Sequence, residues 1–171
     1  MGEIVIVRAG LDRLDELVAF WELLHRHQTS VAAVVPGLDV LPEPESGEIV
    51  REMYREMLSR PQSFAFLAEE SGRPVGFVLV FFEEPHFMWD TGRIGHVDSF
   101  YVLPEMRGRG VGRMLMDAAY AEMQHAGAAT VALEMVADNE VARRFYERDG
   151  FTTTFVQMHR RLAPTEERSP S

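Results

Sequence analysis

The chain has 171 residues, 46% of them hydrophobic, which is the length of one globular domain with a sizeable core. It contains no cysteine and no lysine, which excludes disulfides, thiolate metal sites, a cysteine nucleophile and a Schiff-base lysine. The 27 acidic side chains against 17 arginines give a net charge of −10, which weighs against nucleic acid and favours a neutral or cationic partner.

The terminal segments and the hydropathy pattern predict one soluble domain. No apolar run reaches the roughly 18 residues that a membrane helix needs, and the first residues lack the pattern of a signal peptide. We therefore expect a cytoplasmic protein with no membrane segment, a single domain over residues 1–163 and a polar tail over 164–171.

Periodicity and turn residues predict the elements in chain order. A first strand is followed by a helix, a loop rich in proline and acids, and a second helix. Three strands come next, then helix, strand, helix and a last strand. The predicted ranges are 3–10 (strand), 11–27 (helix), 31–48 (loop), 49–60 (helix), 63–70, 74–84 and 93–103 (strands), 110–126 (helix), 129–136 (strand), 139–150 (helix) and 151–162 (strand).

A glycine-rich stretch, MRGRGVGRML at residues 106–115, lies between the strand 93–103 and the helix 110–126. A glycine turn that opens a helix presents free backbone N–H groups and the positive end of the helix dipole, which together favour phosphate. The stretch lacks the lysine of a nucleoside-triphosphate loop, and Arg113 stands where the dinucleotide fingerprint has its third glycine. Another phosphate-bearing ligand is indicated.

The pattern Arg107-x-x-Gly110-x-Gly112 after the strand FYVLPEMRG resembles the signature of the GNAT superfamily, the acyl-CoA-dependent N-acyltransferases. The segment LEMVADNEVARRFYERDGF is similar to the family's second segment, and the order of elements agrees over nearly the whole chain. The resemblance implies an α/β (α+β) fold: a mixed, mostly antiparallel twisted sheet of six to seven strands, about four helices, and fourth and fifth strands that splay apart.

The resemblance also implies acetyl-CoA as cosubstrate, no metal, and transfer of the acetyl group to a primary amine of a small molecule, protein or peptide by direct attack in a ternary complex. A non-catalytic domain that senses acetyl-CoA is the alternative. By resemblance, backbone groups on the fourth strand contact the pantetheine arm, a loop wraps the pyrophosphate, and an asparagine contacts the cosubstrate. The strand residues are Phe100, Tyr101 and Val102, and the asparagine is Asn139, which we also expect to cap its helix. The loop residues are Arg107, Gly108, Arg109, Gly110, Val111, Gly112 and Arg113.

The catalytic groups are less determined. Tyr146 matches the tyrosine that acts as general acid in many members. Glu134 and Asp98 each match an acidic position that serves as general base in some members, and Glu134 is the favoured of the two. A third alternative is deprotonation by bulk water with neither. His96 lies two residues before Asp98 and is expected on the same sheet face.

In this family the acceptor contacts the loop between the first two helices and the neighbouring strand ends, here residues 30–48 and 83–93. Acids beside aromatic side chains favour an ammonium group through ion pairing and cation–π contact. The alternatives are a solvated acidic loop, an ordinary hairpin tip, and a homodimer surface. The residues concerned are Asp39, Glu43, Glu45, Glu48, Glu83, Glu84, Phe87, Met88, Trp89 and Asp90.

Overall fold

A computed structural model describes residues 2–32, 43–85 and 91–159. Within them lie five strands and four α-helices, with short 3₁₀ turns before α1 and after β4. In chain order these are β1 (Ile4–Ala9), α1 (Leu14–Val31), α2 (Glu43–Leu58), β2 (Ser63–Glu70), β3 (Arg73–Glu83), β4 (Arg93–Val102), α3 (Val111–His125), β5 (Ala128–Leu133) and α4 (Glu140–Arg148).

The five strands form one mixed sheet in the order β1-β2-β3-β4-β5. The first three pairings are antiparallel and the pairing of β4 with β5 is parallel. The prediction of a mixed, mostly antiparallel sheet with about four helices is therefore confirmed.

The expected count of six to seven strands is wrong, because the described residues form five. Residues 151–159, the described part of the predicted last strand, contain no strand, and Val156 and Met158 there are 80% and 89% exposed. Strand propensity depends on packing against neighbouring strands, and these residues have little such packing. The β-branched and aromatic residues of FTTTFV were therefore insufficient to predict a strand at the end of the chain.

Helix α2 begins at Glu43, about six residues before the predicted start. The segment EPES was assigned to the preceding loop because of its proline. Proline is tolerated in the first helical turn, where its missing N–H has no intrahelical partner, and acids there are favourable to the helix dipole. The other predicted helices agree with the structure to within a few residues at their ends.

Strand β3 is the centre of the core because its side chains are buried on both sheet faces. Phe77 and Leu79 pack with the buried faces of α1 and α2, and Val78 and Val80 pack with α3. Apolar side chains therefore pack on both faces of the sheet, and they hold β3 and its neighbour β4 in place.

Candidate active site

Strands β4 and β5 separate partway along their length. Their parallel register runs from Arg93↔Ala128 to Val97↔Leu133, where β5 ends, whereas β4 continues to Val102. From Asp98 onward β4 therefore has no β5 partner within the described residues. This geometry leaves backbone groups of β4 available to a ligand that carries amides, and the splaying of the fourth and fifth strands stays a prediction.

The glycine loop opens α3 beside this separation. Gly110 is the N-cap of α3 and has φ 82°, and Gly108 has φ 74°, so both lie in the left-handed region that favours glycine. A side chain added at either position would meet nothing within 4 Å, and the first turn of α3 has no acidic residue. The loop therefore presents open space and a positive helix end, which suit an anion.

Gly112 has a different role from the other two glycines. A Cβ there would lie 3.2 Å from Cζ of Phe100 and 3.5 Å from Cε2 of Phe145. The absence of a side chain thus lets the first turn of α3 pack closely against β4 and α4. Three elements that border the separation meet at this glycine.

The arginine side chains near the glycine loop are engaged with protein groups. Arg107 donates to the carbonyl of Val102 at 3.1 Å, and Arg109 donates to Glu70 at 2.7 Å. Arg113 pairs with Asp117 at 2.9 Å and also with Asp149. Arg109 and Arg113 are therefore paired with carboxylates, and contacts of the three arginines with phosphate stay a prediction.

Tyr146 on α4 lies against β4 just beyond the separation. Its ring centroid is 6.3 Å from that of Phe100, 5.3 Å from Phe145 and 5.5 Å from Phe151. Burial raises the pKa of Tyr146 well above its ordinary value. The phenol is therefore protonated at neutral pH and is a hydrogen-bond donor beside the separation.

Asn139 caps α4, as the sequence predicted. Its Oδ1 accepts a hydrogen bond of 3.1 Å from the backbone N–H of Ala142, and the side chain is buried. The cap fixes the start of the helix that carries Tyr146. A contact between Asn139 and a cosubstrate stays a prediction.

Asp98 lies in a β-bulge at the point where β4 and β5 separate. On β3, Leu79 pairs with Ser99 and Val80 pairs with Val97, so Asp98 has no β3 partner. Bulges often redirect a side chain next to an active site. Here the carboxylate accepts a hydrogen bond of 2.8 Å from Ser99 Oγ, and burial raises its pKa above the usual range, while the Ser99 hydroxyl and the nearby His96 act in the opposite direction.

His96 lies on the sheet face covered by α1 and α2. It pairs in register with Phe81 and stacks on that ring at 4.7 Å, and Phe81 follows Leu79 by two residues on β3. Its Nδ1 lies 3.1 Å from a carboxylate oxygen of Glu83. The sequence-based expectation that His96 and Asp98 share a sheet face stays a prediction, because Asp98 lies in the bulge. His96 is near enough to Asp98 to lower its pKa.

The remaining acidic candidates differ in exposure, and some lie outside the described residues. Glu134 follows the last residue of β5 and is exposed, as are Glu45, Glu48 and Glu84, whereas Glu83 is half-buried. Asp39, residues 86–90, the tail 164–171 and the side chain of Glu43 lie outside the described residues. The proposed ammonium site is therefore only partly represented in the structure.

Sequence reasoning missed two residues that contact the site. Tyr54 on α2 is fully buried and donates a hydrogen bond of 2.8 Å to Ser99 Oγ. The apolar spacing of α2 had placed Tyr54 on its core face without a polar role. The available signal was weak: one serine next to an aspartate, in a strand that is otherwise mostly apolar.

Across the part of the chain that the structure describes, no three or more His, Asp or Glu side chains are grouped closely enough to hold a metal ion. Over the same ranges, no helix combines the length and the apolar character that a membrane crossing requires.

The fold and the site together define a class of protein. The sequence pattern of the Acetyltransferase (GNAT) family matches residues 12–151. The chain therefore belongs to this family and is an N-acetyltransferase.

Relatives with curated names support this assignment. The chain is 31% identical over 142 residues to an uncharacterized N-acetyltransferase of Archaeoglobus fulgidus, covering 82% of this chain and 88% of the relative. It is 32% identical over 111 residues to N-alpha-acetyltransferase 30 of Schizosaccharomyces pombe, covering 65% of this chain and 69% of the relative. An aminoalkylphosphonate N-acetyltransferase of Salmonella typhimurium is 27% identical, with 88% and 97% covered.

Solved structures show the same fold. A GCN5-related N-acetyltransferase from Ralstonia eutropha superimposes with a TM-score of 0.75 at 24% identity, covering 95% of this chain and all of the other. An aminoglycoside N-acetyltransferase in complex with CoA gives a TM-score of 0.72 at 19% identity, with 95% and 96% covered.

Proposed function

We propose that this protein transfers the acetyl group of acetyl-CoA to a primary amine of a small molecule, or of a protein or peptide, by direct attack on the thioester in a ternary complex. The observation that carries the proposal is the separation of β4 from β5 after Val97↔Leu133, with the glycine loop, Tyr146 and Asp98 bordering it. When bound, acetyl-CoA supplies an activated acyl group.

The residues present fit a CoA-type ligand. The left-handed glycines Gly108 and Gly110 and the start of α3 offer backbone N–H groups to a pyrophosphate. Along β4, the backbone of Phe100, Tyr101 and Val102 is free of β5 and suits the amides of a pantetheine arm. Gly112 keeps α3 close enough to β4 for one ligand to contact both.

Asp98 is the general base in this proposal. An alkyl ammonium with a pKa near about 10.4 costs roughly 4.6 kcal/mol to deprotonate at pH 7, so a base assists the reaction. A half-buried carboxylate whose pKa is raised is a better proton acceptor than an ordinary one. Glu134 is exposed beside the end of β5, and it stays the alternative base.

Tyr146 is the general acid. A thiol has a pKa near about 8.5, below that of a phenol, so a neutral tyrosine keeps its proton beside the developing thiolate and stabilises the charge by hydrogen bonding. The proton that forms the thiol passes through this hydrogen bond, and Tyr146 is reprotonated from solvent as CoA leaves. The aromatic contacts with Phe100, Phe145 and Phe151 hold the ring over the separated part of β4.

The first test is calorimetric titration of acetyl-CoA into the wild type and a Gly110→Glu variant. The substitution places bulk and negative charge in the loop, and we expect micromolar binding to be lost. Gly127→Glu is the matched control, because Gly127 also has a positive φ and open surroundings but lies at the far end of α3, roughly 22 Å away. Absence of binding to the wild type would overturn the proposal.

The second test is CoA release with a panel of primary amines: putrescine, tyramine, an aminoglycoside, and peptides with a free N-terminus or a lysine. We expect turnover with at least one class. Asp98→Asn and Tyr146→Phe should each lower kcat by about 10²-fold or more while the affinity for acetyl-CoA is kept, whereas Glu134→Gln should stay near wild type. Tight binding without turnover for any amine would favour the sensor instead.

A further inference from the structure

We infer that Tyr54 and Ser99 are positioning residues that hold the carboxylate of Asp98 in one orientation and thereby set the pH range in which it accepts a proton. The inference rests on the proposed role of Asp98 as general base. It concerns two buried hydroxyl groups that the family resemblance did not single out.

The backbone around Asp98 makes such support necessary. The bulge leaves Asp98 without a β3 partner, and β5 ends opposite Val97, the residue before it. The carboxylate is therefore attached to a point on β4 where pairing is interrupted on both edges. Its side-chain contacts must supply the orientation that the sheet does not.

The hydrogen bonds to the carboxylate have a defined direction. A carboxylate only accepts, so the Ser99 hydroxyl donates to Asp98 Oδ2 at 2.8 Å and uses its single proton there. Ser99 Oγ must then accept from Tyr54, whose hydroxyl lies 2.8 Å away. Burial raises the pKa of Tyr54 well above its ordinary value, which keeps the phenol protonated as a donor.

Packing alone does not explain these two hydroxyl groups. Tyr54 is fully buried and Ser99 is 4% exposed, and the cluster around Tyr54 is otherwise apolar and includes Leu17, Phe77 and Leu79. A buried hydroxyl is costly unless it is hydrogen-bonded. A phenylalanine at position 54 together with an alanine at position 99 would satisfy packing without any polar group. The hydroxyl pair is thus accounted for by the carboxylate that it contacts.

Other titratable groups surround Asp98 on the adjoining elements. His96 on the same strand lowers the pKa of Asp98, and Glu83 on β3 lies beside His96. Glu134 follows β5 and is exposed, and Tyr146 on α4 covers Phe100. On α1, His27 lies against Tyr101 with ring centroids 6.2 Å apart. Only Ser99 donates a hydrogen bond to the carboxylate within the described ranges.

The test is a carbon-13 NMR titration of the Asp98 carboxyl group in the wild type, Ser99→Ala and Tyr54→Phe, with the signal assigned by its loss in Asp98→Asn. Removing the Ser99 donor destabilises the carboxylate, so we expect its titration midpoint to move to higher pH in Ser99→Ala. A smaller move in the same direction is expected for Tyr54→Phe, because Ser99 then loses its fixed orientation. Ser99→Thr keeps the hydroxyl and should titrate like the wild type.

The same variants are compared in kinetics with the panel amine that gives the highest kcat/KM. The acid limb of the kcat/KM profile should move to higher pH in Ser99→Ala. At pH values on the acid side of the midpoint, kcat/KM should therefore be about tenfold lower than in the wild type, while KM for acetyl-CoA is unchanged. Ser63→Ala is the matched control, because Ser63 donates its hydroxyl to the carbonyl of Met57, outside the Asp98 cluster. It should leave the limb in place.

The outcomes separate the two proposals. Unchanged midpoints in both Ser99→Ala and Tyr54→Phe would overturn the positioning inference, even if Asp98→Asn is inactive. Full turnover by Asp98→Asn would reject Asp98 as the base whatever the titrations show, and the kinetic part of the inference would fail with it. If Ser99→Ala does not fold, Tyr54→Phe, which loses only one atom, keeps the titration decisive.

Discussion

Asp98 illustrates how opposing local effects set the properties of one side chain. Burial raises its pKa, whereas the Ser99 hydroxyl and the neighbouring His96 lower it, and burial is the largest of the three effects. A carboxylate in such surroundings is poised to accept a proton. It also reduces the stability of the folded state when it is ionised.

This residue gives the first prediction, for Asp98→Asn. The folded-state pKa lies above the unfolded value, so the stability contributed by this group is present below the unfolded pKa and is lost as pH rises through the folded pKa. Asparagine does not ionise and still accepts the Ser99 hydrogen bond. We therefore expect the variant to have a higher Tm than the wild type at pH 7, with the difference disappearing in acid. Differential scanning calorimetry from pH 3 to 8 measures this, and a lower Tm at pH 7 would contradict it.

Tyr146→Phe is the second prediction at this scale. The ring contacts with Phe100, Phe145 and Phe151 are kept, so the free energy of unfolding should change by less than about 1 kcal/mol, while kcat falls by about 10²-fold. Tyr120→Phe provides a contrast, because Tyr120 lies on α3 and its hydroxyl donates to Asp149. In Tyr120→Phe the free energy of unfolding should fall while kcat is unchanged. Denaturant unfolding and CoA release measure the two effects, and the reverse pattern would exclude Tyr146 as the acid.

At the scale of elements, α3 approaches β4 and α4 closely beside the candidate site. A side chain at residue 112 would crowd Phe100 and Phe145, because a Cβ there would lie 3.2 Å from the Phe100 ring and 3.5 Å from the Phe145 ring. The left-handed Gly110 ends the preceding loop and starts the helix without a side-chain cap. The loop, the helix start and the free part of β4 are therefore held together by backbone geometry.

Gly112→Val tests this arrangement. The Cβ alone would lie 3.2–3.6 Å from atoms of the Phe100 and Phe145 rings, and overpacking costs about 1–3 kcal/mol. Because α3 would move away from β4, acetyl-CoA affinity should fall together with stability. Denaturant unfolding and calorimetry measure both. Met114→Val, a partly exposed position on the same helix, should leave affinity unchanged; equal loss in both variants would show a general effect on α3.

At the scale of the whole molecule, one strand connects two apolar layers. Strand β3 contributes Leu79 to the layer beneath α1 and α2, and Val78 to the layer beneath α3. It also pairs along nearly all of β4, so the position of Asp98 depends on both layers. By contrast, Phe151 packs at the edge of the layer beneath α3, and residues 152–159 are exposed and contribute little to either layer.

Leu79→Ala is the corresponding prediction. Leu79 is fully buried, and its truncation should cost about 2–5 kcal/mol, or roughly 4–20 °C in Tm. Because Leu79 pairs with Ser99, acetyl transfer should fall as well. Val156→Ala, at an 80% exposed position, should change stability by less than about 0.5 kcal/mol. Thermal unfolding distinguishes them, and similar losses would show that residues 151–159 pack on the core.

Elements whose signals are local were predicted well. Strand β2 was predicted with the bounds that the structure has, and α3 and α4 differ by a residue or two. Apolar periodicity, glycine turns and the Asn139 cap act within a few residues, so the amino-acid order alone carries them. The glycine motif with its flanking strand and helix likewise indicated the family from the amino-acid order alone.

Features that depend on residues distant in sequence were missed or left open. The segment 151–162 has a strand-like pattern, but a strand forms only where a neighbouring edge pairs with it. The choice between Asp98 and Glu134 depends on burial, which the bulge and the end of β5 determine. Tyr54 reaches Ser99 across 45 positions, and no local pattern reports a hydrogen bond between side chains that only the packed sheet and helix bring together.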